Sequence, residues 1–571
     1  MSFEGETKNA PMADSGLRGF ALFSVLGSLL LTLLLEALDQ TIVSTALPRI
    51  ISTLQGFDRY TWSVTAYSLA SITAIPIVGK LSDQFGRKGF LLVGTVLFLI
   101  GSVLSGAAQD MDQFIAFRAL QGLGAGVGIA LVFSVIADIF TLKERLKWQS
   151  LFGVVYGFSN LVGPTIGGLL TDHGPVLGDI VTDSTRWRWV FYINLPVGLL
   201  ALVGLVLYLP TNRQTFHTQY RGWAAFRRID FVGAILIAAA TVCLLLGLTW
   251  GSNQDFAWDS VQVLSILGAA AVLFILFVVV ERFALEPIIP FELFRNRNFT
   301  LSAVISLLQF MALVGLIIYM PLYLQGILGE SATSSGEVIT PFTLSSVVGA
   351  MVGGILMTKI KKFKGITIVG AVTMLIGGFL LSRMDSNTSL WVAIIFMIIT
   401  GLGVGPFFSI LTLIAQNAVP RSKLGVGTGS ARFFGQLGGV LGVAVVGTVV
   451  NNTLSSELGN RLPTAAHQLP PQVLDLATNP QALVNPTYHA TVVQAVTGAN
   501  PQAQGLLDQI FSALKMAFET AIQQGFLAVL VMSVLVVIGT LFFKDVSLVD
   551  EASLEAEAEI EEEKSVTVSA V

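Results

Sequence analysis

The chemically unusual residues of this chain are charges placed inside apolar runs. Glu36 and Asp39 stand in LLLEALDQTIVSTALP, three residues apart and therefore on roughly one face of a helix. Arg118 stands in QFIAFRALQGLGAGVG and Arg432 in GSARFFGQLGG. Ionisable groups at membrane depth are rare and costly, and they mark substrate or ion pathways, proton relays or buried ion pairs. Asp39 lies nineteen residues past Phe20, about 28 Å along an ideal helix. That places it toward the outer half; Arg118 lies near the start of its own run, which enters from the outside, so the two can share a depth. For a carboxylate facing a guanidinium in apolar surroundings, the partner charge favours ionisation and desolvation opposes it. Such a pair either changes protonation with conformation and ligand or forms a fixed structural bridge, and both readings stand at this level. Asp138 and Glu519 sit nearer the ends of their runs and are weaker cases.

The elements that must hold these charges follow from composition. Of 571 residues, 53% are hydrophobic and only 12% charged, against about 25% charged in a soluble domain. That excludes a soluble enzyme, a nucleic-acid reader and a secreted disulfide scaffold, and it implies an all-α polytopic membrane protein. The apolar runs do not alternate with period two, as a transmembrane barrel would require. A bilayer core of about 30 Å needs roughly 20 apolar helical residues. Fourteen segments qualify: 20–46, 60–79, 89–108, 113–136, 148–170, 188–209, 229–250, 261–280, 300–324, 339–358, 366–382, 390–414, 425–449 and 522–543. The polar N-terminus lacks the basic flank and cleavage site of a signal peptide, so the first run reads as a retained span.

Charge in the short loops orients the chain. With the N-terminus inside, the inner loops hold Lys80, Arg87, Lys88, Lys143, Arg145, Lys147, Arg213, Arg221, Arg227, Arg228, Arg282 and a further basic cluster at Lys359–Lys364. The outer loops hold far fewer bases, so both termini are expected in the cytoplasm and the chain in the cytoplasmic membrane. The formal net charge of -4 hides a slightly basic body, because eight acids lie between Asp550 and Glu563. That tail reads as solvated. Residues 450–518, rich in Gln, Asn, Ala, Pro and Thr, read as an outer cap or mobile loop, with a substrate gate as the alternative. Motifs of soluble enzymes are absent. The single cysteine, Cys243, forbids an internal disulfide. The four histidines do not pair at ligand spacing, so no metal or cofactor is expected, and no GxxxxGK[ST] loop supports ATP binding. The glycines from Gly122 to Gly126 lie inside a span and read as packing.

Two further patterns are candidates for function. GVVYGFSNLVGPTIGGLL carries Gly157, Gly163, Pro164, Gly167 and Gly168. Small residues let helices approach closely and proline removes a backbone bond, so this helix either forms a tight interface that bends or rocks, or simply packs. Trp62, Tyr67, Phe117, Tyr156, Tyr319 and Phe407, with Arg432, are candidates to line a cavity for apolar or cationic compounds; packing is the competing reading for each.

These residues resemble the major facilitator superfamily, and within it the fourteen-span drug:proton antiporters. Gly79-Lys80-Leu81-Ser82-Asp83-Gln84-Phe85-Gly86-Arg87-Lys88 looks like the superfamily's signature loop, which would make Gly79, Asp83, Gly86, Arg87 and Lys88 a conformational latch. Leu38-Asp39-Gln40-Thr41-Ile42-Val43-Ser44-Thr45-Ala46-Leu47-Pro48 resembles the first-span motif, departing at Ser44 where asparagine is common. Arg118, Gln121 and Gly122 resemble the span-four motif tied to proton coupling, and the 157–168 glycines resemble the antiporter motif. Trp187-Arg188-Trp189 through Asn194, Pro196 and Gly198 is similar to the same subgroup.

The resemblance implies two six-helix bundles, at 20–210 and 286–544, flanked by a 1–19 N-terminus and a 545–571 tail. Residues 211–285 would carry two additional helices between the bundles. It implies proton-driven export of small hydrophobic or cationic drug-like compounds by a monomer, with Glu36, Asp39, Arg118 and Gln121 handling protons or substrate. The partners would be a small molecule, protons and the lipid bilayer, with no nucleic acid, no cofactor and no enzymatic step. Export of one particular metabolite, peptide or self-made antibiotic is the alternative, and a non-transporting receptor on the same scaffold a more distant one.

Overall fold

A computed structural model describes residues 19–54, 60–140, 142–178, 181–210, 230–252, 256–284, 287–330, 332–360, 362–419, 423–484, 486–499 and 504–544. The N-terminus, the basic 211–229 stretch and the acidic tail lie outside the described residues. The apolar runs fold as helices because a helix satisfies its own backbone hydrogen bonds where no water is present. In the first half these are α1 (Phe20–Leu54), α2 (Tyr60–Phe85), α3 (Arg87–Ala107), α4 (Met111–Ile139), α5 (Leu142–His173) and α6 (Asn194–Tyr208). An inserted pair follows, α7 (Phe231–Ser252) and α8 (Val261–Phe283). The second half holds α9 (Arg297–Gly326), α10 (Ala332–Ile360), α11 (Phe363–Leu381) and α12 (Leu390–Val404), which continues past Gly405-Pro406 as α13 (Phe407–Asn417). Then come α14 (Leu424–Arg461), three short helices α15 (Pro471–Thr478), α16 (Gln481–Val484) and α17 (Pro486–Ala499), and the last span, α18 (Gln504–Leu541). Thirteen helical segments among the described residues are long and apolar enough to cross a membrane; α5 is not one of the thirteen.

The helices gather into two bundles. In the first, α4 packs on α2 and α3, and α1 on α5 and α6; in the second, α14 and α18 pack on α9, and α12 on α10 and α11. The halves meet along two seams, α2 against α14 and α5 against α10, with α4 also touching α14. The inserted pair packs on itself and lays α7 beside the α2–α14 seam.

Glycine placement explains the closeness of the first bundle. On α4, a Cβ at Gly122 or Gly126 would strike the α2 backbone at Tyr67 and Ser71, and one at Gly124 would strike α3 at Phe98. Gly122 and Gly126 therefore share one face and Gly124 the other, so the Gly122–Gly126 run seats α4 between two neighbours at backbone contact.

The 450–518 stretch is largely helical. α14 has 38 residues, about 57 Å at helical rise, so it outruns the bilayer, and α18 begins well before its apolar core. The segment between them buries Ala466, Ala477, Ala482, Val492 and Val496 in the same apolar cluster as Met320, Tyr323, Leu324 and Leu514. The stretch is thus a cap packed on the second bundle.

Candidate functional site

Asp39 sits on α1 with its carboxylate fully engaged. Oδ2 accepts from Arg118 Nη1 of α4 at 2.6 Å. Oδ1 accepts from Gln121 Nε2 at 2.8 Å and from Asn194 Nδ2 of α6 at 3.2 Å. Arg118 Nη1 also donates to Gln121 Oε1 at 2.7 Å. Arg118 and Gln121 are one turn apart on α4, so both reach the same acid. Gln121 is fixed in turn by Gly101 of α3, whose missing side chain lets the α4 backbone press against it. Asn194 also donates to Ser102 Oγ at 3.0 Å, and Ser102 donates to the Phe191 carbonyl at 2.9 Å.

The surroundings are dry. The two charged side chains of the bridge are 3% and 0% exposed. The Arg118 guanidinium lies 4.2 Å from the Tyr67 ring centroid and 5.9 Å from that of Phe191. Phe191 packs edge-to-face with Phe114 and Trp187 beyond it. In so low a dielectric each charge is tolerable only because the other is present and its remaining bonds are filled.

Glu36 lies one turn earlier on α1 and is also buried. It packs against Gly128 of α4, where a Cβ would overlap Oε1. It takes no part in the Asp39 cluster, and its Oε2 has no hydrogen-bond partner among the described residues.

The glycines of α5 face α1. A Cβ at Gly163 would overlap Thr41 Oγ1, and one at Gly167 would overlap Thr45 Oγ1. Thr41 Oγ1 also lies 3.2 Å from the Ser159 carbonyl. The partner of this glycine face is therefore the helix that carries Asp39, inside the first bundle. Gly168 has open space around it. The side chains of Tyr156 and Pro164, and the surroundings of Gly157, lie outside the described residues.

A second charged cluster joins the halves at the α2–α3 loop. Asp83 Oδ1 accepts from the Gly425 amide at 2.8 Å and Oδ2 from the Val426 amide at 2.9 Å. These are free amides of the first turn of α14, where a carboxylate is favoured by the helix dipole. Arg87 bridges Asp83 at 3.1 Å and also Asp138 at the end of α4. Gly79 and Gly425 allow the α2 and α14 backbones to touch. Gly86 turns the chain with φ 95°, a left-handed value that favours glycine. Lys88 does something else: its Nζ donates to the Val206 and Leu209 carbonyls at 2.9 and 2.6 Å, capping α6.

The remaining candidates are dispersed. Tyr67 belongs to the Asp39 cluster through Arg118. Phe117 is half-buried against the cluster containing Phe114 and Trp187, and Trp62 is half-buried. Tyr319 is half-buried near Gly447. Phe407 is buried in the second bundle with Met357, Phe363 and Ile410. Arg432 crosses to the first bundle and sits 3.7 Å from the Phe133 ring centroid. Asn194, Ser102 and Gly128 were not singled out as site residues by sequence reasoning, and Asp138 only as a weaker case near the end of its run. Asn194 had a signal, its place in the Trp187–Gly198 stretch; Ser102 had none. Among the described residues no group of three or more His, Cys, Asp or Glu could hold a metal.

Two helical bundles joined along two seams, with a buried ion pair inside the first, describe a multi-pass membrane transporter rather than an enzyme. The family model of the Major Facilitator Superfamily matches residues 29–443, and the chain belongs to that superfamily. It is 36% identical over 545 residues to the multidrug transporter protein MdtP of Bacillus subtilis, covering 94% of this chain and 95% of that one. It is 38% identical over 439 residues to multidrug resistance protein 3 of the same organism, covering 77% and 81%. The fold matches the proton:xylose symporter XylE with TM-score 0.58 at 15% identity, over 92% of this chain and 96% of that one.

Proposed function

We propose that this protein exports small hydrophobic or cationic compounds across the cytoplasmic membrane in exchange for protons, by alternating access. The observation that carries the reading is the buried Asp39–Arg118–Gln121–Asn194 set. It spans three helices of one bundle and uses two charges where the membrane penalises them, which favours a proton- or substrate-handling role over packing. The names of the two Bacillus relatives support drug-like substrates.

In this reading α5, with 32 residues, is a fourteenth span, and both termini are cytoplasmic. The bundles are 20–210 and 286–544, α7 and α8 are an insertion within 211–285, and the monomer is the working unit. Rocking of one bundle against the other would expose a midplane site alternately to each side. The test is a screen of fluorescent lipophilic cations and neutral hydrophobic drugs in proteoliposomes with an imposed pH gradient. Accumulation of at least one compound against its gradient, abolished by a protonophore, is expected. Failure of every compound to respond to the pH gradient would remove the coupling claim.

In the same reading Asp83 is a latch for the state in which α2 and α14 meet at their cytoplasmic ends. Asp83→Asn keeps one amide acceptor but loses the second carboxylate oxygen and the bridge to Arg87. Spin labels on those two helix ends should report a longer, broader distance distribution than in the wild type, by several ångströms. An unchanged distribution would reduce the loop to a structural joint.

A further inference from the structure

The first turns of α14 read GVGTGSAR, with short side chains up to Arg432. The glycines bring this stretch against α2: a Cβ at Gly425 would strike the Gly79 carbonyl, and one at Gly429 would crowd that of Ile75. Arg432, the first long side chain past them, reaches α4 instead, where its guanidinium lies 3.7 Å from the Phe133 ring centroid. The same phenylalanine is held from another helix. Gln416 Nε2 of α13 donates to the Phe133 carbonyl at 3.4 Å and to Thr428 Oγ1 of α14 at 3.0 Å. A carbonyl oxygen has two lone pairs, so that of Phe133 can accept this bond beside its helical one. Phe133, Gln416 and Thr428 are buried, and Arg432 is half-buried. Two helices of the second bundle thus grip one residue of the first, by its ring and by its main chain.

The grip is a separate layer from the Asp83 latch. Phe133 lies five residues before Asp138 on α4, and Arg432 lies six residues past Val426 on α14. These offsets are about 8 and 9 Å along their helices. Both partners therefore stand about the same distance deeper in the membrane than the ion-pair network at the α2–α3 loop.

A contact between the bundles stabilises only the conformation in which they meet, so it shifts the balance toward that state. A guanidinium over a ring face is attracted by the ring quadrupole, and more so out of water. Arginine also keeps its charge in a protein. A fixed positive charge in a narrow closed passage opposes the entry of cations, protons included.

We infer that Arg432, clamped on Phe133, is the deeper seal of the closed cytoplasmic end and its barrier to cations. It is a positioning and sealing residue, and it stands outside the substrate site. This rests on the export direction and topology proposed above and deepens them. An exporter that exchanges a lipophilic cation for a proton has both moving ions repelled by the same charge, so neither slips through while the cavity faces outward.

The first arm of the test measures closure on the full-length protein with no drug and no gradient. Spin labels are placed at the inner ends of α4 and α13. Arg432→Gln and Phe133→Leu should each raise the long-distance population at least twofold, and the double variant should resemble either single one, because the two side chains act as a unit. Arg432→Lys, which keeps the charge but not the planar face, should fall between Arg432→Gln and the wild type. If Arg432→Gln does not fold, Phe133→Leu gives the same reading with an apolar side chain retained. Unchanged distances in the single variants, or effects that add in the double, overturn the assignment. A tenfold change in tetraphenylphosphonium affinity with unchanged distances also overturns it, by placing Arg432 in the substrate cavity.

The second arm uses proteoliposomes that contain a pH dye, with an imposed pH gradient and no drug. Arg432→Gln should dissipate the gradient at least fivefold faster than the wild type, and Arg432→Lys should restore most of the retention. Retention by Arg432→Gln equal to that of the wild type overturns the barrier role. If the wild type moves no protons with any compound of the screen, the export reading fails, and the distances still decide whether Arg432 and Phe133 close this end.

Discussion

Asp39→Asn should destabilise the protein more than Arg118→Met. Removing one partner of a buried ion pair typically costs about 3–5 kcal/mol, because the other charge is left without compensation. The two removals differ in what they strand. Without Asp39, the Arg118 guanidinium stays charged, 3% exposed, facing Gln121 and the Tyr67 ring. Without Arg118, the Asp39 carboxylate still keeps its bonds from Gln121 and Asn194. The double variant Asp39→Asn/Arg118→Met removes both charges and should recover much of the lost stability while remaining inactive in transport. Thermal unfolding in detergent gives the order: wild type, then the double variant, then Arg118→Met, then Asp39→Asn. Equal melting of wild type and Asp39→Asn would mean that the bridge contributes nothing to the fold.

The second large effect concerns the α1–α5 face. Gly163→Leu places a side chain where Thr41 Oγ1 now lies, two residues from Asp39. Overpacking a close contact typically costs about 1–3 kcal/mol. Here α1 can relieve it only by moving, and movement of α1 displaces Asp39 from Arg118 and Asn194. Gradient-driven efflux should fall at least tenfold. Gly168→Leu is the control, because it lies on the same helix with open space around it, and it should transport within twofold of the wild type. Parallel flux assays on matched preparations decide the matter. Normal export by Gly163→Leu would make the glycine face ordinary packing, and equal loss in both variants would point to folding rather than to this contact.

Much of this architecture is legible in the sequence because bilayer thickness imposes one length on every span. The expected 113–136 segment is the centre of Met111–Ile139, and 20–46 is most of the first helix. The ends were less legible. Helices continue where apolar runs stop, as α14 does through Arg461 and α18 from Gln504, because backbone bonding does not require apolar side chains. The cap at 450–518 is hard to read for the same reason, its buried positions being mostly alanine and valine at irregular spacing.

At the site, the charges announce themselves by their rarity, and the depth estimate brings Asp39 and Arg118 together. Their neutral partners do not stand out: Asn194 is one polar residue in an apolar helix, Ser102 is another, and only the tertiary arrangement gives them a common target. The glycine patterns reveal close approach without naming the neighbour. Gly163 faces α1, Gly126 faces α2, and Gly128 faces an acid, and the local sequence does not distinguish the three. Asp83 and Arg87 were readable as a loop motif, but the acceptor role of Asp83 toward Gly425 and Val426 depends on a contact more than 300 residues away.

The central claim is that substrate and proton move in opposite directions on one obligatory cycle. Its most direct test is a reversal measurement in proteoliposomes with the wild-type protein. A fixed tetraphenylphosphonium gradient is opposed by a series of imposed pH gradients, with the membrane potential clamped, and the gradient of zero net flux is located. The expected result is a null point that shifts in proportion as the substrate gradient is changed, with the compound accumulating on the acidic side. Equilibration of the compound independent of the pH gradient, or its accumulation on the alkaline side, would contradict exchange with protons.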